Sequence, residues 1–292
     1  MRGYLGMKAS SVNYSSLLTA LVPIVNAASN EIIEVYRSVP EVHNKADNSP
    51  VTNADLRAHS IILAGLTRLT PDVPVISEEA SVASYQERRQ WKRYWLVDPL
   101  DGTREFIKRN DQFTVNIALV ENNIVRLGLV GLPVQKVLYA GIVPQKFAVK
   151  MPLDTQIAGV YSKENIDIKT RRLDENQITL LTSRSFIGKS LEVAITQFTS
   201  RRSNVEIRAV GSSLKLCLLA EGQADLYPKL GSTSEWDTAA GQAVLEAAGG
   251  ALWTRDGKTL RYNTRESLLN PDFIAVSDAG YDWKHRAAMF FD

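Results

Sequence analysis

Acidic residues recur in this sequence where apolar runs stop. Trp95-Leu96-Val97 leads into Asp98-Pro99-Leu100-Asp101-Gly102-Thr103, Val73 to Ile76 leads into Ser77-Glu78-Glu79, and Trp236-Asp237-Thr238 opens a helical run that continues to Ala248. Hard cations such as Mg²⁺ take oxygen ligands in near-octahedral geometry and keep some water, so a few carboxylates and one carbonyl suffice. The Leu100 carbonyl lies between two of the acids. Pro99 fixes its own φ and Gly102 permits an unusual backbone angle, so the loop can be rigid and turn Asp98 and Asp101 toward one point. Two ions about 3.5–4 Å apart stabilise the attacking and leaving oxygens of phosphate-ester hydrolysis and lower the pKa of a water. In that chemistry Thr103 would orient the water, and the Gly102 and Thr103 backbone N–H groups would hold phosphate oxygens. Asp47, in Lys45-Ala46-Asp47-Asn48-Ser49-Pro50-Val51-Thr52, is the candidate to receive the water's proton directly or through Thr103. Each acid also has a plainer reading. Asp98 and Asp101 suit a turn, Asp237 suits a helix start, and Glu78-Glu79 suit a solvated surface.

The elements that must carry these residues follow from periodicity. From Ser15 to Arg37, Leu18, Leu21, Val22, Val25, Ala28, Ile32 and Val35 recur at helical spacing, which predicts a long amphipathic helix. After the turn-rich stretch His43 to Val51, Asn53 is placed to cap a second helix bearing Leu56, Ile62, Leu63, Leu66 and Leu69, ended by Pro71 and Pro74. Val73 to Ile76 and Tyr94 to Val97 read as short strands. Phe113 to Val120 and Ile124 to Val130 flank Asn122-Asn123, which suggests an antiparallel hairpin, and Val137 to Ile142 continues it. Pro152 to Glu175 is polar and weakly periodic, a joint between lobes. Ile178 to Thr182 and Val205 to Val210 each precede a serine-rich turn and a helical pattern, as in a mixed α/β lobe. Where the second of these strands meets Gly211-Ser212-Ser213, helix N-terminal amides can bind phosphate, and Lys215 can add charge. Against this, Ser212 or Ser213 would be an ordinary cap and Lys215 a solvated side chain.

Bulk properties narrow the function classes. With 292 residues, 45% hydrophobic and 23% charged, the chain can bury a large core. Its 34 basic and 32 acidic residues nearly cancel, which argues against a nucleic-acid polymer as partner and for a small anion recognised locally. The single cysteine, Cys217, excludes an internal disulfide or a multi-cysteine metal site and favours a reducing compartment. Without a run of 18 apolar residues, no transmembrane segment is expected. Met7 is a second candidate initiator.

The three acidic segments, taken together and in order, resemble the inositol monophosphatase superfamily of lithium-sensitive, Mg²⁺-dependent phosphomonoesterases over most of the chain. Within it the closer likeness is to the 3′(2′),5′-bisphosphate nucleotidases. That likeness rests on the Lys45–Thr52 stretch, Arg104-Glu105-Phe106-Ile107-Lys108-Arg109-Asn110, Gly211-Ser212-Ser213-Leu214-Lys215 with Ala220-Glu221-Gly222-Gln223-Ala224, and Arg265-Glu266-Ser267-Leu268-Leu269-Asn270-Pro271. The resemblance implies that Glu78, Asp98 and the Leu100 carbonyl hold one Mg²⁺ and Asp98, Asp101 and Asp237 a second. A third, weakly held ion would lie near Glu78 and Asp47. It implies catalytic roles for Asp47, Thr103 and Glu78. Substrate would be bound by Glu78, Leu100, Asp101, Gly102, Thr103, Ser185, Gly211, Ser212, Lys215 and Asp237. The implied fold is α/β (α+β), a layered α-β-α-β-α sandwich with mainly antiparallel and mixed sheets. Its N-terminal lobe, 8–177, would carry the metal loop, and its C-terminal lobe, 178–292, would complete the site. The implied reaction converts adenosine 3′,5′-bisphosphate to AMP and phosphate, clearing a by-product of sulfate assimilation. The setting would be the cytoplasm or the cytoplasmic face of the inner membrane, as a monomer or homodimer.

Two departures stand out. Phe186 occupies a position that is often histidine in the family, and 137–150 lacks the glycine-rich turn usual after the hairpin strands. His43, His59 and His285 show no metal-ligand spacing, and Arg88-Arg89 with Lys92-Arg93 read as a solvated basic helix face. Two alternatives stay open: an inositol or sugar phosphate monoesterase of the same superfamily, and a catalytically silent nucleotide- or metal-binding regulator.

Overall fold

A computed structural model describes residues 12–38, 40–44, 50–153, 164–184, 188–202, 204–283 and 290–291. Its N-terminal half runs α1 (Tyr14–Tyr36), β1 (Val42–Asn44), β2 (Pro50–Thr52), α2 (Asn53–Leu69), β3 (Val75–Ser77), α3 (Tyr85–Arg88), β4 (Arg93–Asp101) and α4 (Thr103–Ile107). Strands β5 (Thr114–Glu121), β6 (Ile124–Leu132), β7 (Val137–Ile142), β8 (Phe147–Pro152) and β9 (Ile166–Asp167) follow. The second half runs β10 (Ile178–Ser183), α5 (Lys189–Ser200), β11 (Val205–Val210), α6 (Leu214–Ala220), β12 (Leu226–Lys229), α7 (Glu235–Ala248), β13 (Ala251–Thr254) and β14 (Phe273–Val276).

Strands β3 to β9 form one sheet in chain order, and a second sheet has the order β11-β10-β12-β14-β13. The first is antiparallel except for β3 on β4; the second mixes parallel and antiparallel pairs. Side chains alternate across a strand, and the alternation here defines the layers. Trp95, Val97, Ile117 and Leu119 face α1 and α2, while Tyr94, Leu96, Ala118 and Val120 face α6 and α7. The second sheet covers the other side of α6 and α7 through Leu181, Tyr227 and Ala275, and packs α5 outside against Leu180 and Ile274. The result is the expected α-β-α-β-α sandwich. Because α7 packs on both sheets, the two halves share one buried layer.

Helix α7 lies unusually close to the first sheet. A Cβ on Gly141 would sit 2.6 Å from Val244 Cα, so only glycine lets the helix rest there. This seats the N-terminus of α7, and with it Asp237, over the end of β4. Helix α1 is long and apolar enough to cross a membrane, yet its stripe Leu18, Leu21, Val25, Ala28 and Ile32 is fully buried in the core.

Some sequence expectations shift. Thr52, not Asn53, caps α2 through a capping box with Asp55, because the hydroxyl one residue earlier reaches the first free amides. Leu56 and Leu63 point outward, and Ala54, Asp55, Ala58 and Gly65 share the buried face with Ile62 and Leu66. The segment expected to be a plain joint contributes β9 to the first sheet and buries Ile168. Arg88, expected in solvent, is 2% exposed.

Candidate active site

An irregularity in β4 builds the centre. The strand pairs with β5 up to Asp98 opposite Asn116, then slips register so that Asp101 faces Thr114. Bulges re-aim side chains where a ladder is broken, so the stretch expected as a loop is a distorted strand end. Asp98 is buried, and its Oδ1 accepts the Leu100 N–H at 3.0 Å. Glu78 arrives from the neighbouring β3, its own N–H donating to Val97 O at 3.2 Å. Asp237 arrives from the first turn of α7, where Oδ2 accepts the Ser234 N–H at 2.9 Å. One carboxylate oxygen from each of Glu78, Asp98 and Asp237 lies within 4.8 Å of the others.

Asp101 stands beside this trio with one oxygen engaged. Its Oδ2 accepts the Ser213 N–H at 2.6 Å, with longer contacts from Asn116 and Thr114. Burial first, then repulsion from Glu78, Asp101, Asp237 and Asp55, raises the Asp98 carboxyl well above the usual carboxylate range. Burial and then Asp101 do the same to Asp237. Asp101 is pushed up to about 6 by burial, against the opposing pull of Lys215 and the Ser213 amide.

An all-oxygen, mutually repelling set gathered around buried Asp98 suits a hard divalent cation such as Mg²⁺ better than a soft one. The residues therefore fit a divalent cation. Because folded pKa values lie above the unfolded value near 4, these acids oppose folding as pH rises through about 4 to 6 and beyond. Metal-free protein in chelator should accordingly melt higher at about pH 6 than at about pH 8, and saturating Mg²⁺ should shrink that difference. A metal-free melting temperature that climbs with pH over this window would contradict the electrostatics.

A further carboxylate, Asp55, stands beside Thr103. Asp47 lies outside the described residues, as do Ser185, Phe186 and His285. Thr103 Oγ1 donates to Asp55 Oδ1 at 3.1 Å, while Asp55 Oδ2 accepts the Thr52 N–H at 2.8 Å and the Thr52 hydroxyl at 2.6 Å. A hydroxyl has one proton to give, and among the described residues Asp55 is its nearer acceptor, ahead of Leu100 O at 3.4 Å. The signal was present as Thr52-x-x-Asp55, the spacing of Ser234-x-x-Asp237, but a capping box explains such a pair without chemistry. Gly102, at φ +93°, supplies the left-handed turn that starts α4 immediately after Asp101.

A cavity of about 160 Å³ opens beside Asp101 and Asp237, lined also by Gly102, Gly211, Ser212, Lys215, Tyr227 and Lys229. The phosphate cradle expected of the Gly211 region is largely engaged within the protein. Gly211 N–H donates to Gln112 Oε1 at 2.7 Å and Ser213 N–H to Asp101. Lys215 is no solvated side chain: it is buried, donates to Ser212 O at 2.5 Å and Val210 O at 3.2 Å, and burial lowers its pKa to about 8. Lys229, which ends β12, is 6% exposed; burial lowers its pKa and Asp237 and Asp272 oppose that shift. Nothing in Leu226-Tyr227-Pro228-Lys229 marked it, since only sheet pairing brings this strand end to α7. His59 meets Ser77 Oγ at 2.9 Å and belongs to no acid cluster among the described residues.

Known proteins resemble this chain over most of its length. The sequence model of the inositol monophosphatase family matches residues 13–288. The 3′(2′),5′-bisphosphate nucleotidase CysQ of Salmonella typhimurium is 44% identical over 259 residues, 88% of this chain and 98% of that protein. CysQ of Haemophilus influenzae is 36% identical over 278 residues, 92% and 95% respectively. The crystal structure of CysQ from Bacteroides thetaiotaomicron, described as a bacterial member of the same family, superposes with a TM-score of 0.78 at 38% identity. It covers 91% of this chain and 99% of that one.

Proposed function

Because the chain belongs to the inositol monophosphatase family, we propose that it is a Mg²⁺-dependent 3′(2′),5′-bisphosphate nucleotidase that converts adenosine 3′,5′-bisphosphate to AMP and phosphate. The carrying observation is a cavity in which acids of the site meet two lysines. Asp101 and Asp237 line it together with Lys215 and Lys229, and Asp237 also converges with Glu78 and Asp98. A substrate with a scissile phosphate and a second, spectator phosphate uses both the acids and the lysines, whereas an inositol monophosphate has no second phosphate for the lysines. The named relatives favour the same substrate.

Divalent ions held by Glu78, Asp98, Asp101, Asp237 and the Leu100 carbonyl would supply Lewis-acid stabilisation of the phosphoryl oxygens and an acidified water. The chain's own residues then handle the proton. Thr103, whose hydroxyl donates to Asp55, turns its lone pairs outward to accept from the water, and Asp55 is the terminal acceptor. The buried, unpaired Cys217 supports a cytoplasmic setting.

The test is phosphate release from adenosine 3′,5′-bisphosphate, adenosine 3′-monophosphate and inositol 1-phosphate in Mg²⁺. The bisphosphate should be turned over with the highest kcat/KM. Lys229→Ala should raise KM for the bisphosphate by roughly tenfold, the worth of one charge-assisted contact, with KM for the 3′-monophosphate little changed. Faster turnover of inositol 1-phosphate would reassign the enzyme within the family; no turnover of any phosphate would favour the silent regulator.

A further inference from the structure

A strap of chain, residues 262–270, crosses the first turn of α7 and is tied down at three places. At the β5–β6 turn, Asn123 Nδ2 donates to Tyr262 O at 2.7 Å and to Asn263 O at 3.2 Å. At α3, Arg88 donates to Asn263 Oδ1 and to Glu266 O, and Asn263 Nδ2 returns a bond to Arg88 O at 2.6 Å. At α7, the Asn263 N–H donates to both Glu235 carboxylate oxygens at 2.9 and 2.7 Å, the Glu235 N–H donates to Leu268 O at 2.8 Å, and Asn270 Nδ2 donates to Ser234 O at 2.7 Å.

These ties converge on the residues that carry the site. Ser234 and Glu235 are the cap and first residue of α7, and the Ser234 N–H orients Asp237. Arg88 lies on the connection from Glu78 to β4, which bears Asp98. We propose that the strap sets Asp237 against Glu78 and Asp98, and that Asn263, Arg88 and Asn123 are positioning residues for the ion site. This rests on the reading of the acidic cluster as a Mg²⁺ site. Asp237 comes from a different layer than Glu78 and Asp98, so a sub-ångström drift of the α7 terminus changes its distance to both. Buried Arg88 is used where a surface arginine would suffice for solubility, and Asn263 holds φ +53°, a conformation uncommon for residues other than glycine and asparagine.

Asn263→Gly tests this, since glycine keeps that φ without strain while deleting both side-chain bonds to Arg88. Calorimetric Mg²⁺ binding to metal-free protein should weaken by roughly tenfold, as for loss of residues that support ligands, with kcat at saturating Mg²⁺ within about twofold. Asn123→Gly guards against a folding failure. It creates the favoured Asn-Gly hairpin turn, so the melting temperature holds while the two bonds to the strap are lost, and Mg²⁺ affinity should fall by about threefold. A lowered melting temperature in Asn263→Gly with Mg²⁺ affinity equal to wild type, or unchanged affinity in Asn123→Gly, overturns the proposal. Absence of Mg²⁺ binding by the wild-type protein would instead overturn the reading of the acidic cluster on which it rests.

Discussion

Asp98→Asn is expected to lower kcat by roughly a thousandfold or more, the scale on which preorganised charge stabilisation is lost, and to raise the melting temperature of the metal-free protein. The two effects have one cause. Asp98 is buried among Glu78, Asp101, Asp237 and Asp55, whose repulsion is unrelieved without a cation. Asparagine keeps the shape and the acceptor for the Leu100 N–H but removes one charge, so the metal-free fold relaxes while the site loses its grip on Mg²⁺. Asp237→Asn should behave alike, its amide oxygen still accepting from Ser234. The measurements are kcat at several Mg²⁺ concentrations and melting curves in chelator. Full activity in both variants would remove these acids from the mechanism, and activity lost in step with stability would make them structural.

Asp55→Asn is expected to cost roughly 10² to 10⁴ in kcat, the usual range for a positioned general base, with Mg²⁺ affinity changed by no more than a few-fold. The competing view is that Asp55 only closes the capping box of α2. On that view the amide oxygen still accepts the Thr52 N–H, about 1 kcal/mol of stability is lost, and kcat hardly moves. Thr103→Val separates the two further. If protons pass through the Thr103 hydroxyl to Asp55, Thr103→Val and the double variant should be about equally slow, because residues acting as one unit are not additive. Multiplicative losses would mean that the two act separately.

How much of this was legible depended on whether a residue's role is written in its neighbours. The hairpin around Asn122-Asn123 was legible because both residues adopt positive φ, which asparagine tolerates. The acids at 78, 98, 101 and 237 were legible because each follows an apolar run or opens a helix, and a carboxylate at a strand end needs a reason. Asp55 hid behind an adequate local explanation. Arg88 looked like one charge among several, because burial is a property of what lies above a helix and the covering strap comes some 175 residues later. The Gly211 amides looked free for phosphate because Gln112 and Asp101, which take those donors, come from the loop before β5 and from the end of β4.

By itself, then, the sequence determined much of the inventory: the longer helices and strands, which carboxylates stand at their ends, and which family pattern they match. Local sterics and side-chain periodicity act over a few residues, so they are encoded where they act. The tertiary structure alone decided the partnerships: Thr103 with Asp55, Lys229 with the acids of the cavity, Glu235 held to the strap. These depend on how α2 meets α4 and how α7 is seated between two sheets, and electrostatics and burial follow separation in space, which chain position does not record.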